Sequence, residues 1–181
     1  MGLDVSAASH LRYVGPIPRE DQREQLEKDV AALGKEMWDV YFFVYSNGAP
    51  HKARLTGTKP GLYALTERTE QHSFRAGSYS GYNLWRRLLC RFAHGVEPEE
   101  VWQNPRRYKG KLFVELIDFT DCDGRIGAKV SAKLAQDFRD HAKRAKDYAT
   151  TIEDGGYLWE VYQEFTKAFA LAGEDGALAF H

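Results

Sequence analysis

Val40-Tyr41-Phe42-Phe43-Val44-Tyr45 is the stretch on which the fold turns, because β-branched and aromatic residues fill it without a break. Such a run favours a pleated, half-buried strand over a helix. Asn47-Gly48 follows it, the dipeptide that suits a two-residue hairpin turn. A pairing strand is therefore expected near Lys52 to Thr56. Lys59-Pro60-Gly61 turns the chain again and predicts a further strand from Leu62 to Thr66. The middle of the chain reads as an antiparallel meander.

Working outward, Leu3, Val5 and Ala7 alternate with polar neighbours, as do Leu11 and Tyr13, and predict a strand or short hairpin opening the chain. Gly15-Pro16-Ile17-Pro18 breaks it. Glu20, Asp21 and Glu24 then start a helix at the end where its dipole favours acids, with Leu26, Val30, Leu33 and Met37 as its apolar stripe. Gly77 to Tyr82 opens a second helix carrying Leu84, Leu88 and Phe92, and Glu97-Pro98 a short one. Leu112 to Phe119 is nearly all apolar and reads as a central strand. Two long helices follow, about 129–148 and 156–172, the first with Val130, Leu134 and Phe138 on one face, the second with Leu158, Val161 and Phe165. Strands gather early and helices late, so the expected class is α+β: a meander packed against about four helices, one domain over 1–181.

Composition bounds the function. Aromatics make up 13% and the net charge is −1, which excludes a disordered chain and names no polyanionic partner, so nucleic acid is not expected. Two cysteines, Cys90 and Cys122, make no disulfide framework, and the opening Met1 to Ser6 shows neither a basic nor an apolar region, so no secretory signal is expected. No apolar run is long enough to span a bilayer. The expectation is a cytoplasmic protein without a membrane partner.

Three constellations carry chemistry. Gly77-Ser78-Tyr79-Ser80-Gly81-Tyr82-Asn83, at a helix start, has the free N–H groups and dipole of an anion site. Ser78 and Ser80 would bond the ligand, Tyr79 and Tyr82 stack on a ring, and Arg86 pair a phosphate. The bland alternative is a serine cap with packed tyrosines. Next, Asp118 to Gly127 places Asp121 and Asp123 in a loop. Against an EF-hand loop, Phe119 and Val130 stand where the first carboxylate and the closing glutamate are required, so that site fails. Asp121-Cys-Asp123-Gly124-Arg-Ile126 also resembles the D-x-D-G-x-[LI] signature of haloacid-dehalogenase-type phosphatases. That resemblance implies a nucleophilic first aspartate, an acid–base second one and Mg²⁺. The helices that follow leave no room for that family's remaining strands, and Asp-x-Asp-Gly is equally an ordinary turn. Third, Arg106, Arg107, Lys109 and Lys111 crowd seven residues, a basic patch or a solvated loop. The six histidines show no zinc spacing.

The opening Met-Gly-Leu-Asp, the run Gly77 to Arg86, Asp121 to Gly127 and Val130 to Leu134 together resemble a group of small uncharacterised bacterial and bacteriophage proteins. The resemblance implies a prokaryotic or phage setting and no activity. The function expected is a non-catalytic binding protein without a cofactor. The Ser78–Tyr82 turn and the Asp121–Asp123 loop would form opposite walls of one pocket. Its guest would be a small anionic, nucleotide-like ligand, or a partner protein as in phage–host or toxin–immunity conflict. The alternative is a Mg²⁺-dependent phosphoester hydrolase built on Asp121 and Asp123.

Overall fold

A computed structural model describes residues 2–120 and 122–181. Seven strands form two antiparallel sheets, with order β5-β1-β7-β6 in one and β2-β4-β3 in the other. The larger sheet uses β1 (Gly2–Ala8), β5 (Gln71–Ser78), β6 (Gly124–Gly127) and β7 (Ala177–Phe180); the smaller uses β2 (Arg12–Gly15), β3 (Tyr41–Val44) and β4 (Gly61–Ala64). Four long helices, α1 (Glu20–Ala32), α2 (Tyr79–His94), α6 (Ala128–Ala149) and α7 (Gly155–Ala172), are joined by the short α3 (Pro98–Gln103), α4 (Pro105–Tyr108) and α5 (Val114–Ile117). The class is α+β.

The period of two in β1 sorts its side chains onto two faces. Leu3, Val5 and Ala7 join Leu178 and Phe180 of β7 in the main core, against α2, α6 and α7. Phe138 and Phe165, spaced as the sequence pattern predicts, pack there, with Phe165 stacked on Trp85 at 4.7 Å between centroids. The opposite face carries Ala8, Ala177 and Ala179, covered by Phe42, Val44, Leu55 and Tyr63 in a second, smaller cluster.

Two expected strands are not strands. Residues His51–Leu55 form a 3-10 helix. The hairpin signal loses because Asn47 is committed elsewhere: its amide nitrogen donates to Arg125 O at 2.7 Å and to His51 O at 3.1 Å, and its Oδ1 accepts from Arg125 N at 2.8 Å. The turn is thereby pinned to β6 rather than folded back on β3. In the run Leu112 to Phe119, residues Val114–Ile117 are helical. A short apolar run does not distinguish a buried strand from a buried helical turn, and Phe113, Leu116 and Ile117 are fully buried either way. Strands β5 and β6 are additional to the expected set, and β7 occupies the short apolar end.

Candidate functional site

Each residue of the Gly77–Arg86 segment is placed by a structural demand. Ser78 Oγ caps α2 by accepting from Gly81 N at 3.0 Å and lies 3.0 Å from Ser80 Oγ. Gly77 adopts φ +110°, and a Cβ there would come within 2.6 Å of the Tyr157 hydroxyl, which donates to Ala76 O. Tyr79 is half-buried. Tyr82 is fully buried, stacked on Trp85 and set edge-on to Phe180, so its ring faces protein on both sides. Arg86 is 7% exposed. Its Nη1 donates to Phe119 O at 2.6 Å, its Nη2 bonds Asn83 Oδ1, and its guanidinium lies 5.1 Å from the Trp102 ring.

The Arg86–Phe119 bond joins α2 to the residues that precede the Asp121–Asp123 loop. Tyr82 and Phe119 both pack on Phe180, so the described part of the junction is filled rather than hollow. Asp121 lies outside the described residues. Asp123 is exposed and accepts from Arg125 Nη1 at 2.8 Å. Asp118 pairs with Arg54, and Glu115 with Lys133. Among the described residues no three metal-ligating side chains converge. Cys90 is buried, and desolvation first, then Glu97 and Glu99, pushes its thiol up to about 12, which removes it as a nucleophile.

A roomy, largely apolar hollow lies elsewhere, between the outer face of the large sheet and β3. It measures about 450 Å³. Register builds its floor: Ser73, Ser6, Ala179 and Arg125 are cross-strand partners in sequence across all four strands. Ser73 Oγ donates to Ser6 Oγ at 3.1 Å, and His181 Nε2 lies 3.0 Å from the same oxygen. His181 is held in place by a ladder pair with Asp4. Trp38, Tyr41, Phe43 and Tyr45 supply aromatic walls, with Phe43 and Tyr45 stacked at 12°. Arg23 of α1 closes one side, its guanidinium over the Phe43 ring.

Arg125 is the pivot. It is 6% exposed and its guanidinium lies 5.3 Å from the Tyr45 ring centroid. Nε reaches Phe43 O, and Nη1 reaches Asp123, Gly124 O and Phe180 O. Among the described residues Nη2 makes no hydrogen bond. Arg125 and Tyr45 also line a smaller polar hollow of about 110 Å³, with Asn47, His51 and Asp123. The cleft thus combines aromatic faces, hydroxyls and two arginines, and no described carboxylate lines it.

Among the described sequence candidates, Asp123 alone borders this region, through Arg125. The cleft draws on residues 6, 23, 38, 73, 125 and 181, which no local motif joins. One signal did exist: Tyr41, Phe43 and Tyr45 are aromatic on the face of β3 that Phe42 and Val44 do not use, so an edge strand carries apolar residues on both faces. No protein-family model matches the chain, nor does any curated protein or solved structure. No helix among the described residues is long and apolar enough to cross a membrane.

Proposed function

We propose that the protein is a non-catalytic binder of a small, planar, anionic ligand of the nucleotide type, held in the cleft between β3 and the large sheet. The observation that carries this reading is the lining itself: five aromatic side chains and two arginines, without a carboxylate among the described residues. Rings reward a flat guest by stacking, and a guanidinium in a partly dry site rewards negative charge more than it would in water. Trp38 is 67% exposed at this cleft, apolar surface that a stacked ring would cover. In a bacterial or phage setting such a protein would act by sequestering a nucleotide signal.

The test is calorimetric titration of the full chain with a panel of 5′-mononucleotides, beside Trp38→Ala and Arg23→Ala. Saturable binding that either substitution weakens, with melting temperature unchanged, supports the reading. Binding that both substitutions leave intact places the ligand elsewhere, and no binding across the panel overturns the reading.

A further inference from the structure

The floor of the cleft says which anion it takes. Two features stand out. First, cationic and protonatable groups gather at one end: Arg125 on β6 and His181 beyond β7, both lining the hollow, with Arg23 on the α1 side. Second, the hydroxyls of Ser73 and Ser6 form a hydrogen-bonded line that ends on His181 Nε2. Each guanidinium already carries a carboxylate partner, Arg125 with Asp123 at 2.8 Å and Arg23 with Glu27 at 3.1 Å, so the two arginines are partly spent before a ligand arrives. A dianion has use for a third positive charge, and the imidazole is the one group there that can supply it near neutral pH.

Resting on the binding reading above, we propose that the cleft selects a dianionic phosphate monoester over a monoanion of the same shape, and that His181 takes up a proton as the ligand binds. The charged groups facing His181 are Arg125 of β6, Asp123 just before it, and Asp4 of β1; Arg75 is the cross-strand partner of Asp4 on β5, and Arg23 is the charge contributed by α1. With the cleft empty, desolvation and then the neighbouring Arg125 hold the imidazole below its ordinary range, while Asp4 and Asp123 pull weakly the other way. It therefore stays neutral at physiological pH. A phosphate placed beside it reverses the balance, because the dianion outweighs Arg125 and favours the charged ring. By linkage, a group whose proton affinity rises on binding must draw in a proton, and ligand affinity then strengthens as pH falls.

The experiment compares a nucleoside 5′-phosphate with the isosteric nucleoside 5′-sulfate, which is a monoanion. Titrations are run at about pH 7.3 in two buffers of different ionisation enthalpy. That pH lies well above the phosphate's own second pKa, near 6, so any proton taken up belongs to the protein. Expected are roughly tenfold or stronger preference for the phosphate, a fractional proton uptake with the phosphate only, and affinity that rises as pH falls from about 8 to 6.5. His181→Gln should bring the phosphate down to the sulfate's affinity and abolish the uptake, with melting temperature unchanged. Equal binding of both ligands without proton uptake overturns this inference while leaving the cleft reading intact. A phosphate preference that survives His181→Gln overturns the role given to His181. Failure of both ligands to bind overturns inference and reading together.

Discussion

The two faces of the large sheet are used in opposite ways. On one, Leu3, Val5, Leu178 and Phe180 vanish under α2, α6 and α7, and rings pack on rings from Phe74 through Phe165 to Phe138. On the other, the alanines Ala8, Ala177 and Ala179 are covered by β3, and the serines Ser6 and Ser73 floor the adjoining open cleft. The helix on that side is correspondingly bare: of thirteen residues in α1 only Val30 is buried, and Leu33 is 72% exposed. The contrast teaches a division of labour. The helix-covered face holds the fold; the β3-covered face leaves open the cleft proposed above as the ligand site.

The largest effect should come from breaking the helix-covered face. Phe165→Ala removes a fully buried ring that touches Phe74, Trp85, Phe138, Phe169 and Phe180. A loss of about 3–5 kcal/mol is expected from a cavity of that kind. Chemical denaturation measures it. Ligand affinity under native conditions should be unchanged, and a matching loss of binding would show that the two faces are not independent.

Arg86→Ala comes next, at about 1.5–3 kcal/mol, the cost of removing buried bonds from a charged donor. The Arg86–Phe119 bond ties α2 to the loop before β6, so the damage belongs to the packed side. A variant with an unchanged melting temperature and lost ligand binding would move Arg86 to the functional side and blur the comparison.

What the sequence made legible follows the same line. Long helices with regular apolar stripes, such as α6 and α7, were readable because their pattern reflects one deep core. β3 was readable because its residues suit nothing else. The failures fall where tertiary bonds override local preference, as where Asn47-Gly48 is diverted by Arg125, or where burial is shallow, as in β5, whose His72, Phe74 and Ala76 alternate with exposed residues but leave only Ala76 fully buried. Gly124–Gly127 falls at the end of the expected Asp118–Gly127 loop, yet it is a strand and Ile126 is fully buried beside Leu178. The cleft was invisible for a different reason. Its floor is a cross-strand row of residues 73, 6, 179 and 125, and only register brings them together.

Trp38→Ala sharpens the comparison from the open side. An exposed residue away from the core should change stability by no more than about 0.5 kcal/mol. Loss of a stacking ring should weaken ligand binding by about 1–3 kcal/mol. The two measurements, melting and calorimetric titration, should therefore separate for Trp38 in the sense opposite to Phe165.

The smallest expected effect concerns the edge of the packed face, where Glu164 of α7 meets His72 of β5 at 2.7 Å and Lys167 at 2.8 Å. The Lys167 hydrogen bond first, and then the one from His72, hold the Glu164 carboxyl below its ordinary value against a desolvation that acts the other way. The sign follows from which state binds protons more readily. The unfolded chain takes the proton at the higher pH, so the pair stabilises the fold above the ordinary glutamate range, near 4.5, and loses that contribution as pH falls through the depressed value. The site is partly exposed, which screens it and limits the effect to less than about 1 kcal/mol. Glu164→Gln should lower the melting temperature slightly at pH 6, and the difference from the parent chain should shrink toward zero by about pH 3, where the parent is itself protonated. A difference that persists undiminished into acid would mean that Glu164 acts by packing rather than charge. The seam between β5 and α7 would then be held by the same apolar contacts as the rest of that face.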